Sequence, residues 1–304
     1  MKLRCPETKC NSHQIPGLER NKIVRKGSFF RKSDSKWIQR FRCLTCGRSF
    51  SRSSLSPSKN QKARRITPHL YELVCSGVSQ RRAARILKVN RKTVVRRFRY
   101  LAEQSRLRHV GYLAARVKAP VSSVEFDDLE TSEHTKCKPI SVALAIEPKS
   151  RKILGFQVSQ MPAKGRLAQI SVRKYGYRED QREVGWNALL ESLTLVVKAN
   201  ATFKSDENPH YPKHILRHFP DCTHKKVPGG RGAITGQGEL KKKRYDPIFS
   251  LNHTCAMLRA NLNRLFRRTW CTTKTKQGLI DHLSIYVQYH NRKLTPLCPL
   301  KGAS

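Results

Sequence analysis

Between residues 121 and 158 the chain carries three apolar segments whose order leaves little freedom of fold. Val121 to Phe126 alternates apolar and polar, Ile140 to Ile146 is an almost unbroken apolar run, and Lys152 to Val158 alternates again. Period-two patterning marks a half-buried strand, and a short unbroken run marks a strand covered on both faces. Glu147-Pro148-Lys149-Ser150 has turn composition, so the second and third strands form a hairpin. A helix from about Trp186 to Lys198 follows, and Thr202 to Asp206 reads as a fourth strand. The expectation is an α/β domain over residues 120–295.

The first strand runs into bare carboxylates, Val124-Glu125-Phe126-Asp127-Asp128, and the fourth ends on Asp206. These acids sit in a chain with 62 Lys+Arg against 21 Asp+Glu, a formal charge of +41. The excess is uneven: the first 120 residues hold 31 basic and 5 acidic side chains, the remaining 184 hold 31 and 16. Such a balance points to nucleic acid as the partner; the helix-turn-helix expected over 67–115 makes it double-stranded DNA. Acids at strand ends repel phosphates unless a cation lies between them, which points to Mg²⁺ or Mn²⁺. Strand, hairpin, helix and strand, with Asp127 and Asp206 at the ends of the first and fourth strands, is the order that a ribonuclease H-like domain requires. There the two strands are neighbours, and both acids can hold metal ions against a scissile phosphate. Asp128 rivals Asp127, because alternation groups Asp127 with Glu125 and Ser123 without choosing between the two acids; Glu130 reads as a solvated loop residue.

A third ligand is expected from a helix over Ser250 to Trp270, with Leu251, Leu258, Leu262 and Leu265 as its apolar face. Asn252 and Arg259 lie two turns apart, on one face, where a ligand and a cation for DNA both fit. His253 and Glu239 are the alternatives to Asn252.

Of ten cysteines, four are organised: Cys5-Pro-Glu-Thr-Lys-Cys10 and Cys43-Leu-Thr-Cys46-Gly47. Two turns with paired thiols can supply the four corners of a structural Zn²⁺ site, and Ile23-Val24 and Trp37 to Arg42 between them are patterned like hairpin strands. The expectation is a zinc ribbon over residues 1–52, and the remaining six cysteines read as core residues. A Ser-, Lys- and Arg-rich linker covers 53–66.

A helix-turn-helix is expected over 67–115. Pro68 to Ser76 is its first helix, Ser79 caps the second, Lys88-Val89-Asn90 is the turn, and Arg91 to Phe98 is the recognition helix. Val94, Val95 and Phe98 are its buried side, with Arg91, Lys92, Arg96, Arg97 and Arg99 outside for a major groove and its phosphates.

Over nearly its whole length the sequence resembles bacterial insertion-sequence transposases of the DDE type. Zinc ribbon, helix-turn-helix and ribonuclease H-like core come in that family's order, and Arg264-Leu265-Phe266-Arg267-Arg268-Thr269 looks like the basic stretch after its third catalytic residue. The resemblance implies metal-dependent nicking at the ends of a mobile element, strand transfer into a target, and at least a homodimer on DNA. It matches Asp127 and Asp206 to the first two acids. At the third position the family's Glu gives way to Asn252, followed by Arg259; asparagine offers a carbonyl oxygen but no charge, and some related insertion sequences use it. A DNA-binding protein that has lost the chemistry, or a nuclease of the same fold, are the alternative functions.

Two basic segments, Lys164 to Arg182 and Lys225 to Arg244, read as loops, and neither matches a nucleotide-binding glycine loop. A last helix, about Gln277 to Asn291, carries Leu279, Leu283, Ile285, Tyr286 and Tyr289 at helical spacing as core. No apolar run approaches the roughly 20 residues that span a bilayer. The expected location is the bacterial cytoplasm, at the nucleoid.

Overall fold

The computed structural model describes residues 3–11, 22–32, 35–59, 61–228, 246–266 and 270–294. The chain divides into two units, Met1–His69 and Leu70–Ser304. In the first, strands β1 (Ile23–Arg31), β2 (Lys36–Cys43) and β3 (Ser49–Ser51) form an antiparallel sheet in that order. Its small core is Phe41, Phe50 and the buried thiols of Cys5, Cys10 and Cys43. Such a core is too small to hold a sheet by apolar burial alone. The expected linker is partly structured: β3 leads into a single 3-10 turn, Arg52–Leu55.

Three helices come next, α1 (Ile66–Val74), in which the second unit begins, α2 (Gln80–Ile86) and α3 (Arg91–Arg116). Ser79 caps α2 by accepting from the Arg82 N–H, and Asn90 caps α3 by accepting from that of Lys92. Gly77 (φ +74°) and Lys88 (φ +50°) turn the chain between the helices. The third helix is far longer than the expected recognition helix. Its buried stripe, Val94, Arg97, Phe98, Leu101, Ala102 and Ser105, keeps a 3.6-residue period well past Phe98.

The five-stranded mixed sheet comprises β4 (Val121–Ser132), β5 (Pro139–Ile146), β6 (Ile153–Gln160), β7 (Val197–Ser205) and β8 (Thr223–Lys226), in the order β6-β5-β4-β7-β8. The β4–β5 and β5–β6 pairs are antiparallel, β4–β7 and β7–β8 parallel. Helices α4 (Leu167–Tyr175), α5 (Arg182–Leu193) and α6 (Tyr211–His218) connect these strands, and α7 (Phe249–Asn261) and α8 (Lys276–Tyr289) follow. One face of the sheet packs Val124, Phe126, Leu154 and Phe203 against Trp186, Leu190, Tyr211 and Ile215 of α5 and α6. The other packs Leu129, Val142, Leu144 and Ile153 in one core with α7, α8 and the three opening helices. No helix among the described residues is long and apolar enough to cross a membrane.

Several boundaries differ from expectation. The segment 164–182 is no plain loop, since α4 occupies nine of its residues and stops at Gly176 (φ +77°). The helix expected to reach Lys198 ends at Leu193, and β7 has begun by Val197. The helix expected to reach Trp270 ends at Asn261, whose carbonyl accepts from the Gly77 N–H at 2.7 Å, so the opening helices terminate α7. Cys75 and Cys137 are buried as expected, whereas Cys271 is exposed. Glu239, Cys298, Arg267, Arg268, Thr269 and most of the Lys225–Arg244 segment lie outside the described residues.

Candidate active site and candidate metal centre

Alternation along β4 separates its acids. Glu125, Asp127 and Leu129 point to the α7 face, while Phe126 and Asp128 point to the α5 face. Glu125 is 2% exposed, and its Oε2 accepts from the Leu251 N–H at 2.8 Å, in the first turn of α7. Burial raises its pKa, opposed by that hydrogen bond. Asp128 is held from the opposite face: Trp186 Nε1 donates to both of its oxygens, at 3.0 Å each. Trp186 in turn packs edge-to-face on Tyr211, and Tyr211 on Phe126.

Asp127 does not end its strand, because β4 continues to Ser132 against β5. It lies instead where the parallel ladder to β7 stops. Glu125 and Lys204 are the last paired residues; Asp127 lies two residues beyond one and Asp206 two beyond the other, near enough for the Asp206 charge to act on Asp127. Asp206 follows directly on Ser205, the last residue of β7, and accepts from the Asn208 N–H at 3.1 Å. Burial, and then the charges of Asp206 and Asp128, push the Asp127 carboxyl up to about 7, against a hydrogen bond from the Asp128 N–H. Tyr211 Oη donates to Asp127 at 3.4 Å. A carboxylate so placed has more negative than positive charge near it, which is what a cation site needs.

Asp127 and Asp128 share an open cleft of about 750 Å³ with Asn252, Cys255, Arg259 and Phe266. The expected face of α7 is thus present: Asn252, Cys255 and Arg259 line one wall at helical spacing. Asn252 Nδ2 donates to Asp246 Oδ2 at 2.8 Å, a bond that does not use its carbonyl oxygen. His253 has Nδ1 3.5 Å from the Arg151 guanidinium and its ring against Phe249. Three residues of this neighbourhood were missed in the sequence. Trp186 and Tyr211 hold the two aspartates, and Asp246 anchors Asn252 and accepts from the Ile248 N–H. None belongs to a spacing pattern; their roles come from contacts across the fold.

In the first unit Cys5, Cys10, Cys43 and Cys46 bring their sulfurs within 4.8 Å of one another, a set that could hold a metal ion such as zinc. Cys5 Sγ lies 3.6 Å from Cys46 Sγ, and Cys10 Sγ 3.8 Å from Cys43 Sγ. The turn between the last two is closed by the Gly47 N–H donating to the Cys43 carbonyl at 2.9 Å. Gly47 has φ +71°, and a Cβ there would meet nothing nearer than 3.9 Å, so glycine is required by backbone conformation rather than by space. Burial pushes the Cys43 thiol up, but the N–H groups of Cys46 and Thr45 and neighbouring thiols outweigh it and bring it down to about 6. Burial and hydrogen bonds with the other three push Cys5 up. Metal binding by closely packed thiols releases their protons, so such a set exchanges protons for a divalent cation.

Among the expected DNA contacts, Arg91, Lys92 and Arg96 are exposed on the first half of α3. Arg97 is a correction: it is 4% exposed, three residues after Val94 and four before Leu101, hence on the buried stripe. Its guanidinium lies 5.9 Å from the Tyr100 ring centroid. A further basic cleft of about 740 Å³ lies in the first unit, lined by Arg31, Lys32, Lys36, Arg64 and Arg65.

No protein-family model matches this chain, and no curated protein matches it.

Proposed function

We propose that the chain is a DNA transposase of the DDE type, which binds the ends of a mobile element and cuts and joins DNA strands with divalent metal ions. The observation that carries this reading is that Asp127 lines one cleft with Asn252 and Arg259 of α7, with Asp206 just past the end of the β4–β7 ladder and its charge acting on Asp127. The strand order β6-β5-β4-β7-β8, with the first three strands antiparallel, is the order of a ribonuclease H-like sheet and supports the same reading. So does the zinc-ribbon-like unit with its basic cleft, and the exposed Arg91, Lys92 and Arg96 on α3.

In this reading Asp127 and Asp206, with the Asn252 carbonyl oxygen, hold Mg²⁺ or Mn²⁺. Bound ions would activate the attacking oxygen and offset charge on the leaving one. Tyr211 donates to Asp127 and keeps it in place, and Arg259 faces the scissile backbone from the opposite wall. Attack by water and then by a DNA 3′ hydroxyl uses the same site in succession. The second reading, a DNA-binding protein without chemistry, is favoured by the uncharged Asn252 at the third position.

The test is cleavage of a plasmid carrying the DNA that flanks the coding sequence, with Mn²⁺ added. Nicking should fall at least about 10³-fold in Asp127→Asn and in Asp206→Asn, with DNA binding kept. Glu130→Ala, at an exposed residue paired with Lys164, is the control. Glu125→Ala is unsuitable, because Glu125 caps α7. Full activity in Asp206→Asn would overturn the metal-site assignment, and tight binding with no nicking in the parent protein would favour the second reading.

A further inference from the structure

The outward side of α3 changes character along its length. At 3.6 residues per turn, Lys92, Arg96 and Arg99 share one face with Leu107, Val110, Ala114 and Val117, the face opposite the buried stripe. The first half of that face is cationic and the second apolar. Leu107 is 62%, Val110 63% and Val117 45% exposed. Their spacing of three, four and three residues is that of a helix–helix seam. Gly111 sits beside it, and a Cβ built there meets nothing within 4 Å. Val117, at the C-cap, keeps helical geometry, so the stripe is continuous to its end.

The two charges that bracket this stripe are opposite. Glu103 precedes it and Lys118 follows it, both exposed, and Glu103 makes no ion pair among the described residues. Laid antiparallel on itself about the midpoint of Val110 and Gly111, the helix places Leu107 against Ala114, large against small. The same register places Glu103 against Lys118 at both ends of a seam roughly 21 Å long. A parallel arrangement would set Glu103 against Glu103, and Arg96 and Arg99 against themselves. The face is therefore self-complementary in one orientation.

We infer that the second half of α3 is a homodimer seam, in which two copies of this chain pair antiparallel through Leu107, Val110, Ala114 and Val117. The cationic first half of each helix then extends past the end of its partner's stripe. This seam is independent of the catalytic reading above, since it needs neither metal nor DNA.

Sedimentation equilibrium of the full chain without DNA tests it. The parent protein should be a dimer. Val110→Asp, at an exposed position where folding tolerates it, should be a monomer with unchanged circular dichroism. Glu103→Lys should weaken the dimer at least about tenfold, and Glu103→Lys combined with Lys118→Glu should restore it to within about threefold. A monomeric parent protein overturns the inference; so does a dimer that Val110→Asp leaves intact, or a charge exchange that fails to restore it.

Discussion

Arg96 and Arg97 are adjacent residues with opposite surroundings. Arg96 is exposed, while Arg97 lies in the stripe that packs α3 onto the rest of its unit. Arg96→Ala should lower the slope of log Kd against log salt on duplex DNA by about 1, the signature of one lost phosphate contact. Arg97→Ala should leave that slope alone and cost about 1–3 kcal/mol in urea unfolding, because it removes a buried side chain and its contact with Tyr100. A lesser contrast separates Asp127 from Asp128. Both line the cleft, but Asp128 is also tied down by an indole.

Among the elements, α1, α3 and α8 meet at a single histidine. His282 of α8 is 2% exposed, its Nε2 donates to the Val74 carbonyl of α1 at 2.8 Å, and its ring stands edge-on to Phe98 of α3 at 5.4 Å. Burial takes its pKa down to about 3, against the opposing hydrogen bond. A histidine that stays neutral in the folded state but protonates near 6.5 when unfolded contributes stability that is complete above pH 6.5 and lost as pH falls towards 3. The full span amounts to at most about 5 kcal/mol. Urea midpoints measured at pH 7 and pH 5 should therefore drop in the parent protein. In His282→Gln the pH 7 midpoint should be lower already, with a smaller further drop. Element by element, what the sequence showed was whatever repeats. Period-two strands, the Cys43-x-x-Cys46-Gly47 turn, the Ser79 and Asn90 caps and the shared face of Asn252 and Arg259 are local patterns, and the structure places them close to where their residues predict. Helix α4 was illegible because its one buried side chain is Ser171, while Ile170 and Val172 are exposed, so no buried apolar stripe marks it. The end of α7 was illegible because a backbone contact from Gly77 sets it, and the true length of α3 because an arginine interrupts its buried stripe.

At the scale of the whole molecule, the two units have separate cores, one built on four thiols and the other on a sheet between helices. Purified protein should contain about one zinc per chain. Removing it with a chelator should expose the first unit to protease while residues 70–228 stay resistant, because thiolates without a cation repel one another in a core too small to compensate. Loss of protection across both units would show that their stabilities are not separate. Cys43→Ser should reproduce the chelated pattern without chelator.

The bond between Glu125 and the Leu251 N–H joins residues 126 positions apart in the chain. Asp127 stands two residues along a strand from one end of it, and Asn252 one residue along a helix from the other. Their separation is thus a short measurement through a hydrogen bond, not a long one through the backbone. The cleft can therefore keep one shape however long the chain that joins its two sides, because that hydrogen bond sets the distance between them.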